Sequence, residues 1–264
     1  MWKWFKWILL GLGLIIVLFV TASGLKHLKQ KGEKSDISIS QKCPDPFVFQ
    51  LPADLNLVTA ILYPGQIRGG DYKAHGGFRF DNSKSNDITV TAPSDAEVID
   101  GGKYIVQGQP QYVFDFAHPC GVRYRLGHLL TLSAKFQDIA DKLPQNGEGD
   151  SRTFEVRPPV QVKQGEIIAT GVGIPGGGFD GQDNTFFDWG VYDYRQQNEA
   201  SKAPDWPTRY ISQDQQWSQF YNSDTYKYGV CLFDWLSPAD RSKVLSLPSA
   251  DGEHGKQSDF CQNN

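Results

Sequence analysis

YVFDFAHPCGVRYRLGHLL, residues 112–130, carries two β-type runs around a turn. Phe114 and Phe116, then Val122, Tyr124 and Leu126, recur at every second position. That period puts one face of a strand on a core and the other face in water. His118-Pro119-Cys120-Gly121 between them is turn chemistry, so His118 is read as a hairpin residue. The signature extends in both directions. VTAILYP, GGFRF, ITVTAP and AEVIDGG precede it, and VQVKQGEIIATG and FFDWGVYDY come after it, each alternating or continuously apolar. Short strands at this spacing predict a mainly β body, an antiparallel sheet or sandwich over about 58–195. Two stretches interrupt it: AKFQDIADKL (134–143), with helical spacing, and PQNGEGDSRTFEVRPP (144–159), a polar, Gly/Pro-rich insertion. Further on, Ser237-Pro238 reads as a helix N-cap followed by proline at the first helical position.

The chain has 264 residues and a formal charge of -4, but six of its 26 basic residues lie in the first 40 positions, opposed there only by Glu33 and Asp36. The body therefore carries 20 basic and 28 acidic residues, a net of -8. Such a balance argues against nucleic acid and against electrostatic attraction to anionic polymers or lipids. Residues 1–24 read as a membrane segment. MWKWFKW places Lys3 and Lys6 among tryptophans, and ILLGLGLIIVLFV is a charge-free apolar run of 13 residues. Val20-Thr21-Ala22 offers a signal-peptidase site, whereas Lys26, Lys29, Lys31 and Lys34 oppose export of the downstream chain. The expectation is an extracytoplasmic body held by a single N-terminal anchor, with secretion after cleavage as the alternative. Residues 25–40 are a polar tether, 41–197 the β domain and 198–264 a C-terminal extension with a helix and a stapled tail.

Cys43, Cys120, Cys231 and Cys261 are even in number and widely spaced, and none forms a C-x-x-C pair. Disulfides fit the extracytoplasmic location. Of three pairings, Cys43–Cys120 would pin the entry segment to the hairpin and Cys231–Cys261 would staple the tail.

In an extended strand, positions 75, 77, 79 and 81 share one face and Phe78 and Phe80 the other. His75, Arg79 and Asp81 then line a surface above a phenylalanine core, with Gly77 leaving room for a neighbour. His128 follows Gly127 in YRLGHLL. Asp188 sits among Phe186, Phe187 and Trp189, where a carboxylate needs a partner. Asp180, Asp183 and Asn184 lack the full spacing of a calcium loop and read as a turn. Tyr124, Trp189, Tyr192 and Tyr194 read as core rather than as a sugar platform.

The order of these pieces over about 60–195, half of the chain, resembles the lysostaphin/LytM-type zinc metallopeptidases, peptidoglycan-cutting enzymes with a β-sandwich core. YPGQIRGGDYKAHGGFRF (63–80) is similar to the opening in which His-x-Gly-x-Asp supplies two zinc ligands. ITVTAPSDAEVIDGG (88–102) and VQVKQGEIIATGVGIPGG (160–177) are similar to its strand pair and its turn-and-strand. FDFAHPCGVRYRLGHL (114–129) resembles the hairpin ending in a catalytic histidine, and FFDWGVYD (186–193) stands where His-x-His closes the site. The resemblance implies His75 in the first ligand position and His128 in the catalytic one. It also shows departures: Arg79 stands where the aspartate ligand belongs, and Phe186 and Asp188 replace the closing histidines. Arginine cannot ligate zinc, because its guanidinium stays protonated.

The expected function is a catalytically degenerate peptidase-like domain of the envelope without a cofactor, binding a peptidoglycan peptide or an envelope protein. In it His128 is vestigial and the Arg79 guanidinium takes the cation's place beside Asp188. The alternative is an active zinc metalloendopeptidase with His75, His128 and Asp188 as ligands. A third reading is a structural protein whose cleft is filled by the insertion 144–159.

Overall fold

A computed structural model describes residues 39–205 and 223–261; the expected anchor and most of the tether lie outside them. The 112–130 segment forms the centre of the sheet. Strand β7 (Gln109–Ala117) and strand β8 (Val122–Leu132) pair antiparallel, with Phe116 opposite Tyr124 and Asp115 opposite Arg125. Phe114, Phe116, Tyr124 and Leu126 are wholly buried. His118 closes the turn, its Nδ1 accepting from the Cys120 backbone N–H at 3.2 Å.

Around this pair the earlier strands are β1 (Ala60–Leu62), β2 (Gln66–Arg68), β3 (Asp71–Lys73), β4 (Gly76–Arg79), β5 (Val90–Thr91) and β6 (Ala96–Val106). The later ones are β9 (Gln145–Glu148), β10 (Phe154–Val162), β11 (Ile167–Val172) and β12 (Phe186–Asp193). The body is mainly β, as expected. Ten strands form one mixed sheet along the path β1-β4-β12-β8-β7-β6-β10, while β5, β9 and β11 branch from it or pair alongside and β2–β3 form a separate hairpin. All of its pairings are antiparallel except β6 with β9. Helix α1 (Ala134–Ala140) falls inside the helical stretch read from the sequence and buries Phe136 against Phe114, ring centroids 5.2 Å apart. The insertion 144–159 departs from its reading. Asn146 ties its loop by donating to the carbonyls of Asp150 and Arg152, and its two ends form β9 and the start of β10 along β6.

Strand β8 changes partners along its length. Val122–Gly127 pair with β12, and Leu129–Leu132 pair with β11. Between them β8 carries one residue more than β7: Tyr112 faces Leu129 while Phe114 faces Leu126. The extra residue makes a bulge, and His128 sits in it with φ +56°. Bulges let a strand turn from one neighbour to another and re-aim a side chain. Without it, strict alternation from buried Leu126 would bury position 128 as well.

The C-terminal extension is part of the core. Leu232 and Phe233 are fully buried, and Phe233 meets Tyr63 edge-on at 5.1 Å. The free edge of β1 is covered by backbone bonds between Ile61 and residues Pro248 and Ala250, which removes an unpaired edge. Helix α2 (Pro238–Ser246) starts as read: Ser237 accepts from the Asp240 N–H, with proline in the first turn. Both expected disulfides are present, Cys43–Cys120 and Cys231–Cys261, and they suggest an oxidising, extracytoplasmic environment. Among the described residues no helix is long and apolar enough to cross a membrane.

Candidate functional site

Strands β4, β12 and β8 lie side by side, and their register sets Gly77 opposite Asp188 and Asp188 opposite Gly127. Phe78, Phe187 and Trp189 on the same strands point into the core and are wholly buried. Asp188 therefore stands on the other face with a glycine on each side. Those glycines leave space for histidines from both flanks. His75 Nε2 lies 3.2 Å from Asp188 Oδ2, and His128 Nε2 lies 3.5 Å from the same oxygen. The three side chains are about one-fifth exposed, at 21%, 21% and 18% for His75, His128 and Asp188.

Arg79 does not join them. Its Nε and Nη2 donate to Asp81 Oδ1 at 3.1 and 2.7 Å, and its Nη1 donates to Asn184 Oδ1 at 3.1 Å. The expected Arg79–Asp188 pair is thereby replaced by a nearer one. Arg79 faces Phe186 across the strand pair, whereas Gly77 faces Asp188. Asp81 lies only two residues away on the same face, and it is further held by Thr59 Oγ1 at 2.7 Å.

Two residues that the sequence reading missed complete the site. Gln111, fully buried at the start of β7, donates from Nε2 to the Gly173 carbonyl at 2.8 Å and offers Oε1 to His128 Nδ1 at 3.2 Å. A carbonyl only accepts, so Gly173 fixes the orientation of the Gln111 amide. Gln111 Oε1 then fixes His128 as the Nδ1–H tautomer. Arg68, on β2, donates to the His75 carbonyl at 2.8 Å and to the Tyr63 carbonyl. The IRGGDY stretch signals its hairpin, since Gly69 and Gly70 carry the positive φ of a tight turn. Gln111 leaves no comparable signal, being one polar residue in a β run.

Burial pushes both imidazoles below the ordinary histidine value against the upward pull of Asp188, and Lys73 adds to the lowering. For Asp188 burial pushes upward, but His75, His128 and Arg68 outweigh it and hold the carboxyl well below the usual carboxylate range. At neutral pH the cluster is thus one carboxylate between two neutral rings. In the tautomer set by Gln111, His128 turns the lone pair of Nε2 toward Asp188. Two acceptors then face each other at 3.5 Å, an arrangement that calls for a hydrogen-bond donor or a cation between them.

The zinc centre of the resembled family does not fit these residues. Arg79, where the resemblance expects an aspartate ligand, is a guanidinium bound to Asp81 and Asn184, and Phe186, where it expects a histidine, packs its ring on His128 at 4.5 Å. As the side chains stand, no group of three His, Cys, Asp or Glu among the described residues is placed to hold a metal ion. Asp183 accepts backbone N–H groups from Ser85 and Gly176 at 2.8 and 3.0 Å and Asn184 holds Arg79, so that stretch is a turn. Tyr124, Trp189 and Tyr192 are core, and Tyr194 is partly buried, stacked on Tyr228 at 4.5 Å and covered by Arg123. The cluster's partners come from β2, β6, β7 and β12, Tyr104 of β6 meeting His128 edge-on at 6.2 Å, and the insertion 144–159 lies along β6. Comparison of the chain with family models, curated proteins and solved structures found no match.

Proposed function

We propose that the chain is a peptidase-like module of the lysostaphin/LytM sandwich type, tethered outside a membrane, that binds an envelope peptide without cleaving it. One observation carries this reading: His128 Nε2 and Asp188 Oδ2 are two acceptors 3.5 Å apart on a partly open face. A ligand N–H or ammonium group entering between them satisfies both, at a gain of ~1.5–3 kcal/mol for a hydrogen bond to a charged acceptor. Peptidoglycan stem peptides present such groups, and a protein partner with a projecting lysine is the other source. The resemblance supplies the peptide class, and the replaced ligand and base positions remove the hydrolytic step.

The same pair of acceptors favours one second reading. With His75 they offer neutral nitrogens and an anionic oxygen, the donor types zinc takes, although the three side chains as they stand do not form a metal-holding group. They would have to draw around the ion to the ~3.4 Å ligand spacing of a tetrahedral zinc with bonds of ~2.0–2.2 Å. That reading makes the chain a metalloendopeptidase with His75, His128 and Asp188 as ligands. Zinc content decides between the two. The oxidised full chain is purified in detergent, and its zinc is measured before and after reconstitution, alongside co-sedimentation with peptidoglycan sacculi. The binding module holds no zinc and co-sediments, and Asp188→Asn weakens that at least tenfold. One zinc per chain, lost on His75→Ala, refutes the binding reading; absence of sedimentation refutes the peptidoglycan ligand.

A further inference from the structure

We propose that the C-terminal tail, stapled by Cys231–Cys261, is a positioning element for the cluster, setting Arg68 beside His75 through the β2–β3 hairpin. The tail grips the hairpin along its length. Asp259 N–H donates to the Gly65 carbonyl at 3.0 Å, Tyr72 Oη donates to Asp259 at 3.0 Å, and Ser258 Oγ donates to the Pro64 carbonyl. The Phe260 ring occupies the space that a Cβ would take at Gly65 and at Gly229, within 3.0 and 2.4 Å of those points. Neither glycine therefore admits a side chain while the tail is docked.

Gln66 links this clasp to the site. It is 3% exposed and donates from Nε2 to the carbonyls of Gly255, at 3.1 Å, and Gln257, while its Oε1 accepts from Arg68 Nη1 at 3.2 Å. The tail carbonyls orient the amide, and the amide orients the guanidinium. The guanidinium then bonds the His75 carbonyl at 2.8 Å, next to the ring that faces Asp188. Arg68 is also a charge that helps hold Asp188 ionised. An arginine does serve the carboxylate, but from the hairpin and not from position 79. Among the described residues the hydrogen bonds of Arg68 go to the backbone and to Gln66, so it positions the site without being one of its contact groups.

The test reads the geometry of the site and does not depend on peptide or zinc binding. In the full chain in detergent, the Arg68 guanidinium N–H signals are tracked by NMR and identified by their loss in Arg68→Lys. Cys231→Ser/Cys261→Ser should speed exchange of those N–H groups at least tenfold and move the ring signals of His75 and His128. Gln66→Ala, which keeps both disulfides, should do the same; Cys43→Ser/Cys120→Ser should do neither. If the first variant does not fold, Gln66→Ala decides alone. Unchanged Arg68 exchange and unchanged histidine signals in a folded Gln66→Ala protein would overturn the proposal.

Discussion

A double-mutant cycle on Arg79 and Asp188 separates the observed pairing from the one a sequence reader expects. Arg79→Ala, Asp188→Ala and the double variant are unfolded in guanidinium chloride at pH 7.5 with both disulfides intact. Arg79 and Asp81 are 30% and 48% exposed, and an ion pair in that setting contributes ~0.2–1 kcal/mol. The Asn184 bond adds ~0.5–1.5 kcal/mol, so Arg79→Ala should cost about 1–2 kcal/mol. Asp188 is 18% exposed and takes the His75 hydrogen bond on an ionised oxygen. Its loss also leaves the charge of Arg68 uncompensated, and Asp188→Ala should cost about 2–4 kcal/mol. The two residues share no partner, so the double variant should equal the sum within ~0.5 kcal/mol. A coupling above ~1.5 kcal/mol would show Arg79 bound to Asp188 in solution and would refute the His75–Asp188–His128 site.

Two further outcomes rest on single residues. Burial, and then the Asp115 carboxylate opposite it, pushes Asp100 up to about 6 from 3.8. The folded state then holds the proton more tightly than the unfolded chain between about pH 4 and 6, so this group's contribution to stability falls as pH rises through that window. Asp100→Asn should leave stability unchanged at pH 4 and raise it by ~1–2 kcal/mol at pH 7.5, a shift of one unit being ~1.4 kcal/mol before allowance for partial exposure; parallel pH profiles of the two proteins would contradict this. At the bulge, His128→Gly and His128→Ala both remove the ring, but only alanine keeps the strain of φ +56°. The glycine variant should be more stable in denaturant titration by ~0.5–1 kcal/mol, and equal or reversed midpoints would rule out the left-handed bulge.

The faces of His75 and Arg79 were legible in the sequence, but their partners were not. Alternation in HGGFRF correctly set Phe78 and Phe80 in the core and His75 and Arg79 outside, because a strand's period is a local property. Which outward neighbour a long side chain chooses depends on register between strands far apart in the chain. There the two-residue distance from Arg79 to Asp81 outweighed the longer reach to Asp188. His128 illustrates the same limit: the period assigns it to the core, and only the extra residue in β8 turns it outward. Residues 198–264 read as an extension outside the β domain, since the run of alternating strands ends near 195. Its Leu232 and Phe233 nonetheless close the core, and Cys231 was the signal that it is anchored.

The division of labour within these strands explains how a site of this kind changes chemistry while keeping its frame. Phe78, Phe187 and Trp189 make edge-on contacts across β4 and β12, ring centroids 5.7–5.9 Å apart, and slipping either strand by one residue would expose them all. The register is thus set from the inward face, and positions 79, 186 and 188 are carried along on the outward face whatever occupies them. A guanidinium at 79 needs only a nearby carboxylate, which Asp81 provides, and a phenyl ring at 186 needs only a flat neighbour, which His128 provides. Position 188 is the exception, since its carboxylate draws on a side chain from β8, on another just ahead of β4 and on the charge of a hairpin held by the tail. The chemistry of the face therefore concentrates at Asp188, and a substitution there should alter function and stability together, whereas changes at 79 and 186 should leave the frame nearly untouched.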